Sequence, residues 1–369
     1  MAKKKIVFIL NSIQQQRCLK RIEEFIEYGY EIEAYGFSRS DTLPTKAVGF
    51  NINVIGEIDP NLPIAQRFIL MNRAIKKVRK IYQGQDVLYY YFLLDVAITS
   101  GMLSHKHFMY ENSDLMYGYY PKLLRWIFKQ VDKIVVKRSL VSIFTSAGFV
   151  EYLFGTIKPK NVVVIPNRLN KKVLQLSYSE TKPDINHLRF AFVGALRQPG
   201  TKLFIENLLS HFPQHEFYFY GMIHDKHRAY YENLAAKYPQ FHLGGSFSNP
   251  KDLPGIYEKC DILVSAMGLV SSPNIQYAEP NKFYEAIYFR KPIIVSEDSY
   301  VGRNVKSLGI GFCLSDFTEN GIKSFLESIT EEKLRIANDN LNGIPKEEAV
   351  DGNPQLFSLL DNLLSSKKS

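Results

Sequence analysis

Cysteine is almost missing from this sequence. Cys18, Cys260 and Cys313 are the only three in 369 residues, too few and too scattered to staple a fold, and no C-x-x-C or Cys/His cluster has zinc-site spacing. Long apolar runs are missing too. No stretch of about eighteen uncharged apolar residues occurs. The basic start Met1-Ala2-Lys3-Lys4-Lys5 leads only into Ile6-Val7-Phe8-Ile9-Leu10, too short for the apolar region of a signal peptide. These absences predict a cytoplasmic chain in a reducing compartment, neither exported nor membrane-spanning. With 46% hydrophobic and 22% charged residues, the composition excludes disorder and fibrous repeats. The length exceeds the ~250–300 residues at which single cores stop growing, which predicts two packed domains.

What is present is basic charge, and it is lopsided. The net charge is +9, but residues 1–186 hold 27 Lys and Arg against 16 Asp and Glu, while residues 187–369 hold 19 against 21. The first half therefore carries +11 and the second −2. Throughout, short apolar runs alternate with amphipathic stretches, the pattern of βαβ units around parallel sheets. Strands are expected at 5–10, 31–35, 53–55, 87–91, 108–110, 141–144 and 162–165, then at 189–194, 216–220, 241–243, 262–265, 292–295 and 311–314. Among the helices expected between them are 18–28 and 64–82; in the latter Ile69, Ala74 and Val78 are expected to face a core. The pattern breaks after Pro166-Asn167-Arg168. These features predict two doubly wound, Rossmann-like α/β domains facing a central cleft: residues 1–166, a linker 167–186, a second domain 187–345, and a C-terminal helix in 346–369 packing back on the first. In such sheets ligands sit at the carboxyl ends of the strands.

The most informative segment runs from Glu279 to Val295. Pro280 suits the entry to a helix that Asn281 would cap, and the helix amides with Lys282 form an anion site. One turn on, Glu285 has the reach for vicinal hydroxyls such as those of a ribose; an ordinary surface helix is the alternative. Upstream, a buried strand ends at Gly194, where backbone can approach a ligand, and Arg197 and Lys202 follow as phosphate-binding cations. Three cations at strand ends suit a diphosphate.

Residues 164–330 resemble the GT-B-fold retaining glycosyltransferases of the large "group 1" bacterial family, which use nucleotide-diphospho-sugars. The resemblance is carried by Val164-Ile165-Pro166-Asn167, Phe192-Val193-Gly194, the segment 257–265 and above all Pro280–Val295. It implies that Glu285 is the second glutamate of the family's E-x7-E pair, on the donor ribose, with Arg197 and Lys202 on the diphosphate. Tyr277 stands where the first glutamate belongs, so Glu279 is the nearest substitute, and Ala195 follows the strand glycine where the family places an arginine. The resemblance further implies an acceptor in the first domain, with Glu111 and Asp114 as candidates for its hydroxyls, no catalytic metal, and transfer with retention to a saccharide, including a lipid-linked one, in surface polysaccharide assembly. A sugar-nucleotide epimerase of the same scaffold, or a silent nucleotide-binding protein, are the competing readings.

Between Pro121 and Arg138, Lys122, Arg125, Lys129, Lys133 and Lys137 recur at helical spacing, with Leu124, Ile127, Val131 and Ile134 largely opposite and Trp126 near the boundary. That pattern suits peripheral contact with an anionic membrane surface on its inner face; a solvated helix, or one cut short by a strand at Ile134–Val136, is the alternative. No nucleic-acid-binding signature accompanies the basic charge. His105 and His107 flank Lys106, but no further ligands are apparent, so a surface loop is expected there.

Overall fold

The computed structural model describes residues 4–39, 50–59, 61–99, 108–195, 199–223, 225–268 and 272–365. Each half of the chain grows around a strand buried on both faces, which is why those strands read as unbroken apolar runs rather than alternating ones. In the first unit β1 (Ile6–Leu10), β2 (Ile32–Ser38), β3 (Ile52–Glu57), β4 (Leu88–Phe92), β5 (Phe108–Asn112), β6 (Val141–Phe144) and β7 (Val162–Val164) form a parallel seven-stranded sheet in the order β3-β2-β1-β4-β5-β6-β7. In the second, β8 (Arg189–Val193), β9 (Glu216–Tyr220), β10 (Phe241–Gly245), β11 (Ile262–Ser265), β12 (Ile293–Ser296) and β13 (Gly311–Leu314) form a parallel six-stranded sheet in the order β10-β9-β8-β11-β12-β13. Strand order reverses beside the first strand of each sheet, between β1 and β4 and between β8 and β11. That reversal opens a crevice at the carboxyl ends of the strands.

The first unit comprises residues 1–166 together with 353–369, and the second residues 167–352. Residues 167–186, read from sequence as a linker, belong to the second unit. Leu169 bridges to Val350, Asn170 accepts the Lys172 amide at 2.9 Å to cap a short turn at Lys171–Gln175, and Val173 is fully buried. The segment is polar on average, yet it holds a few apolar anchors, and these pack. The C-terminal helix Pro354–Ser365 buries Leu356, Phe357 and Leu360 in the first unit's core, where Phe357 stacks on Tyr28 at 4.0 Å.

Helix phase is less legible than strand position. In the helix Ile64–Ile81 the buried residues are Met71, Ile75 and Val78, whereas Ile69 is 51% exposed. The helix Lys122–Arg138 is continuous through 134–136 and buries Asp132, Val135 and Val136. Asp132 is enclosed by donors: the Tyr110 and Tyr117 hydroxyls, each at 2.8 Å, and the Asn112 amide at 2.7 Å. Burial nevertheless pushes its pKa up to about 7, the three hydrogen bonds opposing the shift.

The consequence for stability follows from linkage. Between its ordinary 3.8 and about 7, folded Asp132 keeps a proton that the unfolded chain has released, so its contribution falls as pH rises through that window. Urea unfolding at pH 5 and pH 8 should show wild type losing about 2–3 kcal/mol relative to Asp132→Asn. Parallel pH profiles for the two proteins would refute this.

Candidate active site

At the carboxyl end of β8, Gly194 adopts φ +130° and Gly221, after β9, adopts φ +139°, a region that favours glycine. A Cβ on Gly221 would lie 2.0 Å from the Gly194 carbonyl oxygen, so the two backbones pass each other with no room for side chains. Above Gly194 sits Lys282, whose Nζ is 3.1 Å from where a Cβ would stand. The ammonium also lies 4.5 Å from the centroid of the Phe192 ring. Burial lowers its pKa, and the charge of Glu285 pushes it back up.

Lys282 and Glu285 lie on the helix Asn281–Phe289, which is buried from Phe283 onward. Glu285 accepts the Tyr257 hydroxyl at 2.5 Å, and Tyr257 is fixed by stacking on Phe289 at 4.3 Å. Desolvation raises the Glu285 pKa against the Lys282 charge and the Tyr257 hydrogen bond. Glu279 precedes the helix and accepts from Asn304 at 3.0 Å; burial raises its pKa too, opposed by hydrogen bonds from Tyr284 and Asn304 and by the charge of Arg168. Nearby, Gly200 in the helix Pro199–His211 abuts the Ala266 carbonyl and the Gly268 amide, a fit that any side chain would break. Chemically, this is a strand-end cradle of open backbone with a poised ammonium on one side and a buried carboxylate one helical turn away.

The other expected residues fall differently. Arg197 lies outside the described residues, as do His105 and His107. Lys202 sits 3.9 Å from Glu206 and 4.0 Å from the centroid of the Tyr230 ring, and no described contact joins it to Gly194 or Lys282. Asn281 does not cap its helix. Pro280 holds the cap position, and the exposed Asn281 side chain accepts from the Asn167 amide. Gly221 and Tyr257 were not anticipated; the signal for the first was the same strand-then-glycine pattern that marked Gly194.

In the first unit the expectation for Glu111 is corrected. β5 runs two residues further than expected, which carries Glu111 into the core, fully buried. There Arg21 reaches it through Nε at 3.0 Å and Nη2 at 3.4 Å, and the Tyr90 hydroxyl donates at 2.5 Å. Its oxygens are taken by the protein, leaving none for an acceptor. Asp114 is half-buried at the start of the following turn, its carbonyl accepting the Met116 amide at 2.9 Å. Neither lines a pocket of the first unit bordered by Asn11, Arg39, Arg67 and Asp95 among others. Among the described residues no group of three His, Cys, Asp or Glu is placed to hold a metal ion.

On the helix Lys122–Arg138 the expected apolar face is not covered. Leu123 is 70% and Trp126 60% exposed, and Leu124, Ile127 and Ile134 are exposed as well. Lys122 and Lys137 stand in solvent, while Arg125 donates to the Tyr120 carbonyl at 3.2 Å and Lys129 packs over the Tyr152 ring at 4.0 Å. No described helix is long and apolar enough to cross a membrane.

Among solved structures, sucrose-phosphate synthase from Thermosynechococcus elongatus superimposes with a TM-score of 0.71 over 99% of this chain and 100% of that one, at 13% identity. The chain has the GT-B fold. HepE of Anabaena, solved in complex with UDP, matches with a TM-score of 0.63 over 99% of both chains at 14% identity. WaaG, a glycosyltransferase involved in lipopolysaccharide biosynthesis, matches at 0.58 over 92% of this chain and 94% of that one, at 15% identity. No protein-family model matches the sequence. No curated protein matches it by sequence either.

Because Glu111 is half of a buried ion pair, Glu111→Ala should lower the unfolding free energy by about 3–5 kcal/mol, since Arg21 would be left buried with Glu24 alone. Urea denaturation measures this. A loss within ordinary surface-mutation scatter would restore Glu111 as a candidate for ligand contact.

Proposed function

We propose that this protein is a glycosyltransferase that moves a sugar from a nucleotide-diphospho-sugar to a saccharide hydroxyl, with retention, in the assembly of surface polysaccharide. The observation that carries the reading is the pairing of Lys282, set over the Gly194 backbone, with Glu285 one helical turn on, beside the β8/β11 strand reversal. The solved structures of this fold that hold UDP, or UDP and glucose, make a uridine donor the first to test. In this reading the Lys282 ammonium and the amides at the start of its helix meet the diphosphate, and Glu285 takes the ribose hydroxyls. Arg197 and Lys202 add charge near the diphosphate, and Glu279 lies on the sugar side, with Asn281 at the helix entry.

The chemistry asks for departure of a doubly ionised group. The anomeric C–O bond to the β-phosphate breaks as cationic and amide groups offset the leaving charge, and the acceptor oxygen attacks on the same face. Its proton passes to the departing phosphate oxygen, so configuration is retained and no enzymic nucleophile is needed. UDP-N-acetylglucosamine 2-epimerases share the fold; the Listeria monocytogenes structure described as a putative one matches at a TM-score of 0.60 and 13% identity over 92% of both chains. Interconversion of two donors without nucleotide release would favour that second reading.

UDP should raise the melting temperature of the wild type. In calorimetric titration its affinity should fall about tenfold or more in Lys282→Met and in Glu285→Gln. Because burial holds Lys282 below the usual lysine range, affinity should weaken toward alkaline pH earlier than free lysine would predict, and that slope should vanish in Lys282→Met. If no nucleoside diphosphate stabilises the wild type, the site assignment fails.

The exposed apolar residues of the helix Lys122–Arg138, with Lys122 and Lys137 in solvent, support contact with an anionic membrane surface, which suits a lipid-linked acceptor. Trp126 is the sole tryptophan, so its fluorescence reports on that helix alone. Phosphatidylglycerol vesicles should shift its emission to the blue, and Lys122→Glu with Lys137→Glu should weaken binding by about 1 kcal/mol per charge or more. Equal response to neutral phosphatidylcholine vesicles, or none to either, would remove the membrane from this picture.

A further inference from the structure

Glu285 is more than nine-tenths buried, and among the described residues it makes a single hydrogen bond, accepted at Oε2 from the Tyr257 hydroxyl at 2.5 Å. An ionised carboxylate has about four acceptor positions, so Oε1 keeps its capacity for a ligand. The helix Asn281–Phe289 carries both ends of the device that holds this group. Glu285 and Phe289 are four residues apart and share one helix face. Tyr257, the last residue of the short helix Leu253–Tyr257, lies along that face with its ring stacked on Phe289 at 4.3 Å and 6° and its hydroxyl on Glu285. Phe289 is held in turn by edge contacts from Tyr178 at 5.0 Å and Tyr288 at 4.9 Å, and the Tyr178 hydroxyl donates to the Phe289 carbonyl at 2.9 Å.

A phenolic proton stays close to the plane of its ring. Fixing the Tyr257 ring therefore fixes the direction from which Oε2 is approached and, with it, the side-chain conformation of Glu285. Tyr257 itself is fully buried, so it reaches a ligand only through Glu285. The titratable groups acting on Glu285 are Lys282 on its own helix and Tyr257, and Cys260 and Tyr178 act on Tyr257 from behind. Burial and the Glu285 charge push the Tyr257 hydroxyl well above its ordinary range, so it remains a donor throughout the neutral region. Desolvation raises the Glu285 pKa, while the Lys282 charge and the Tyr257 hydrogen bond lower it. Without that hydroxyl the carboxylate would take up a proton at higher pH and cease to be a pure acceptor.

We propose that Tyr257 is the positioning residue for the nucleoside sugar: by holding Oε2 it presents Oε1 of Glu285 to the vicinal hydroxyls, and so sets the preference for a ribonucleoside diphosphate over its 2′-deoxy counterpart. This role rests on the nucleotide-diphosphate reading of the β8/β11 strand ends and adds to it the residue that governs sugar selectivity. A hydrogen bond to a charged acceptor discriminates strongly against a ligand that lacks the donor, but only where the acceptor cannot swing to another partner. The Tyr257–Phe289 stack removes that freedom.

Calorimetric titration of the full chain with UDP and 2′-deoxyUDP, from about pH 6 to about pH 9, tests this. Both ligands carry the same diphosphate, so the titration of Lys282 against it cancels in the ratio of their affinities. The wild type should prefer UDP by about tenfold or more, and Tyr257→Phe should cut that preference to about two- to threefold at neutral pH, with partial recovery toward pH 9. In a Glu285→Gln background, where the preference is already lost, adding Tyr257→Phe should change the ratio no further. Glu285→Asp keeps a carboxylate on that helix but withdraws it from the hydroxyl, and it should lose the preference in the same way should Tyr257→Phe fail to fold. Equal loss of both ligands at an unaltered ratio, a Tyr257→Phe pH profile parallel to that of the wild type, a further drop in the double variant, or full selectivity in Glu285→Asp would each overturn the proposal. If the wild type binds UDP and 2′-deoxyUDP equally, the role of Tyr257 falls and the diphosphate site stands; if it binds neither, both fall together.

Discussion

An ammonium resting on an aromatic ring at the end of a parallel sheet is expensive unless something negative answers it. Lys282 occupies that position over Phe192, and the only answer built into its helix is Glu285, itself desolvated and held by Tyr257. The surrounding architecture follows from keeping this pair in place. Tyr257 is locked by Phe289, the helix Asn281–Phe289 is buried along most of its length, and the glycine at 194 clears the space beside the ammonium. Relaxing any of these would let Lys282 reach water, and the charge would lose its direction.

The two units use buried charge in opposite ways although their sheets share one topology. In the first, Glu111 with Arg21 and Tyr90, and Asp132 with Tyr110, Tyr117 and Asn112, are sets in which the carboxylates are surrounded by donors. Such networks specify a core and hold it rigid. In the second unit, by contrast, Lys282 and Glu285 are buried with displaced pKa values at a strand end. Burial alone does not separate scaffold from site, since Glu111 and Glu285 are both buried carboxylates and differ in what surrounds them: an arginine and a tyrosine hydroxyl for the first, a single tyrosine hydroxyl for the second.

Much of the fold was legible in the sequence because buried parallel strands announce themselves as short unbroken apolar runs; those at Val141–Phe144, Glu216–Tyr220 and Ile262–Ser265 fall where the pattern puts them. Helix phase was not, since a helix packed on a sheet needs only a narrow apolar stripe, and Ile69 competed with Met71 for it. The helices Tyr300–Leu308 and Glu331–Asn342 went unread although Ser299 and Thr330 cap them, a local signal that periodicity alone ignores. At the site, Lys282 and Glu285 were readable because one turn of helix fixes their spacing. Glu111 misled because its partner Arg21 is 90 residues away in the chain, and no local pattern encodes a contact of that separation.

Under the proposed function, the displaced pKa of Lys282 would bear on turnover as well as binding. A lysine kept below its ordinary range by burial gains basicity when an anion arrives, because the new negative charge restores the protonated form. Ligand and proton therefore bind together, and the stabilisation grows with the charge on the ligand. In the proposed glycosyl transfer a diphosphate gains charge as its bond to the sugar breaks, so the same ammonium would interact more strongly with the departing group than with the intact donor. That difference, rather than affinity for the donor itself, is what lowers a barrier. It also implies a penalty afterwards, since the group most strongly held is the product. Release would then require the ammonium to return to a state that burial disfavours, which makes departure of the nucleotide diphosphate the step most exposed to changes around Phe192, Gly194 and Glu285.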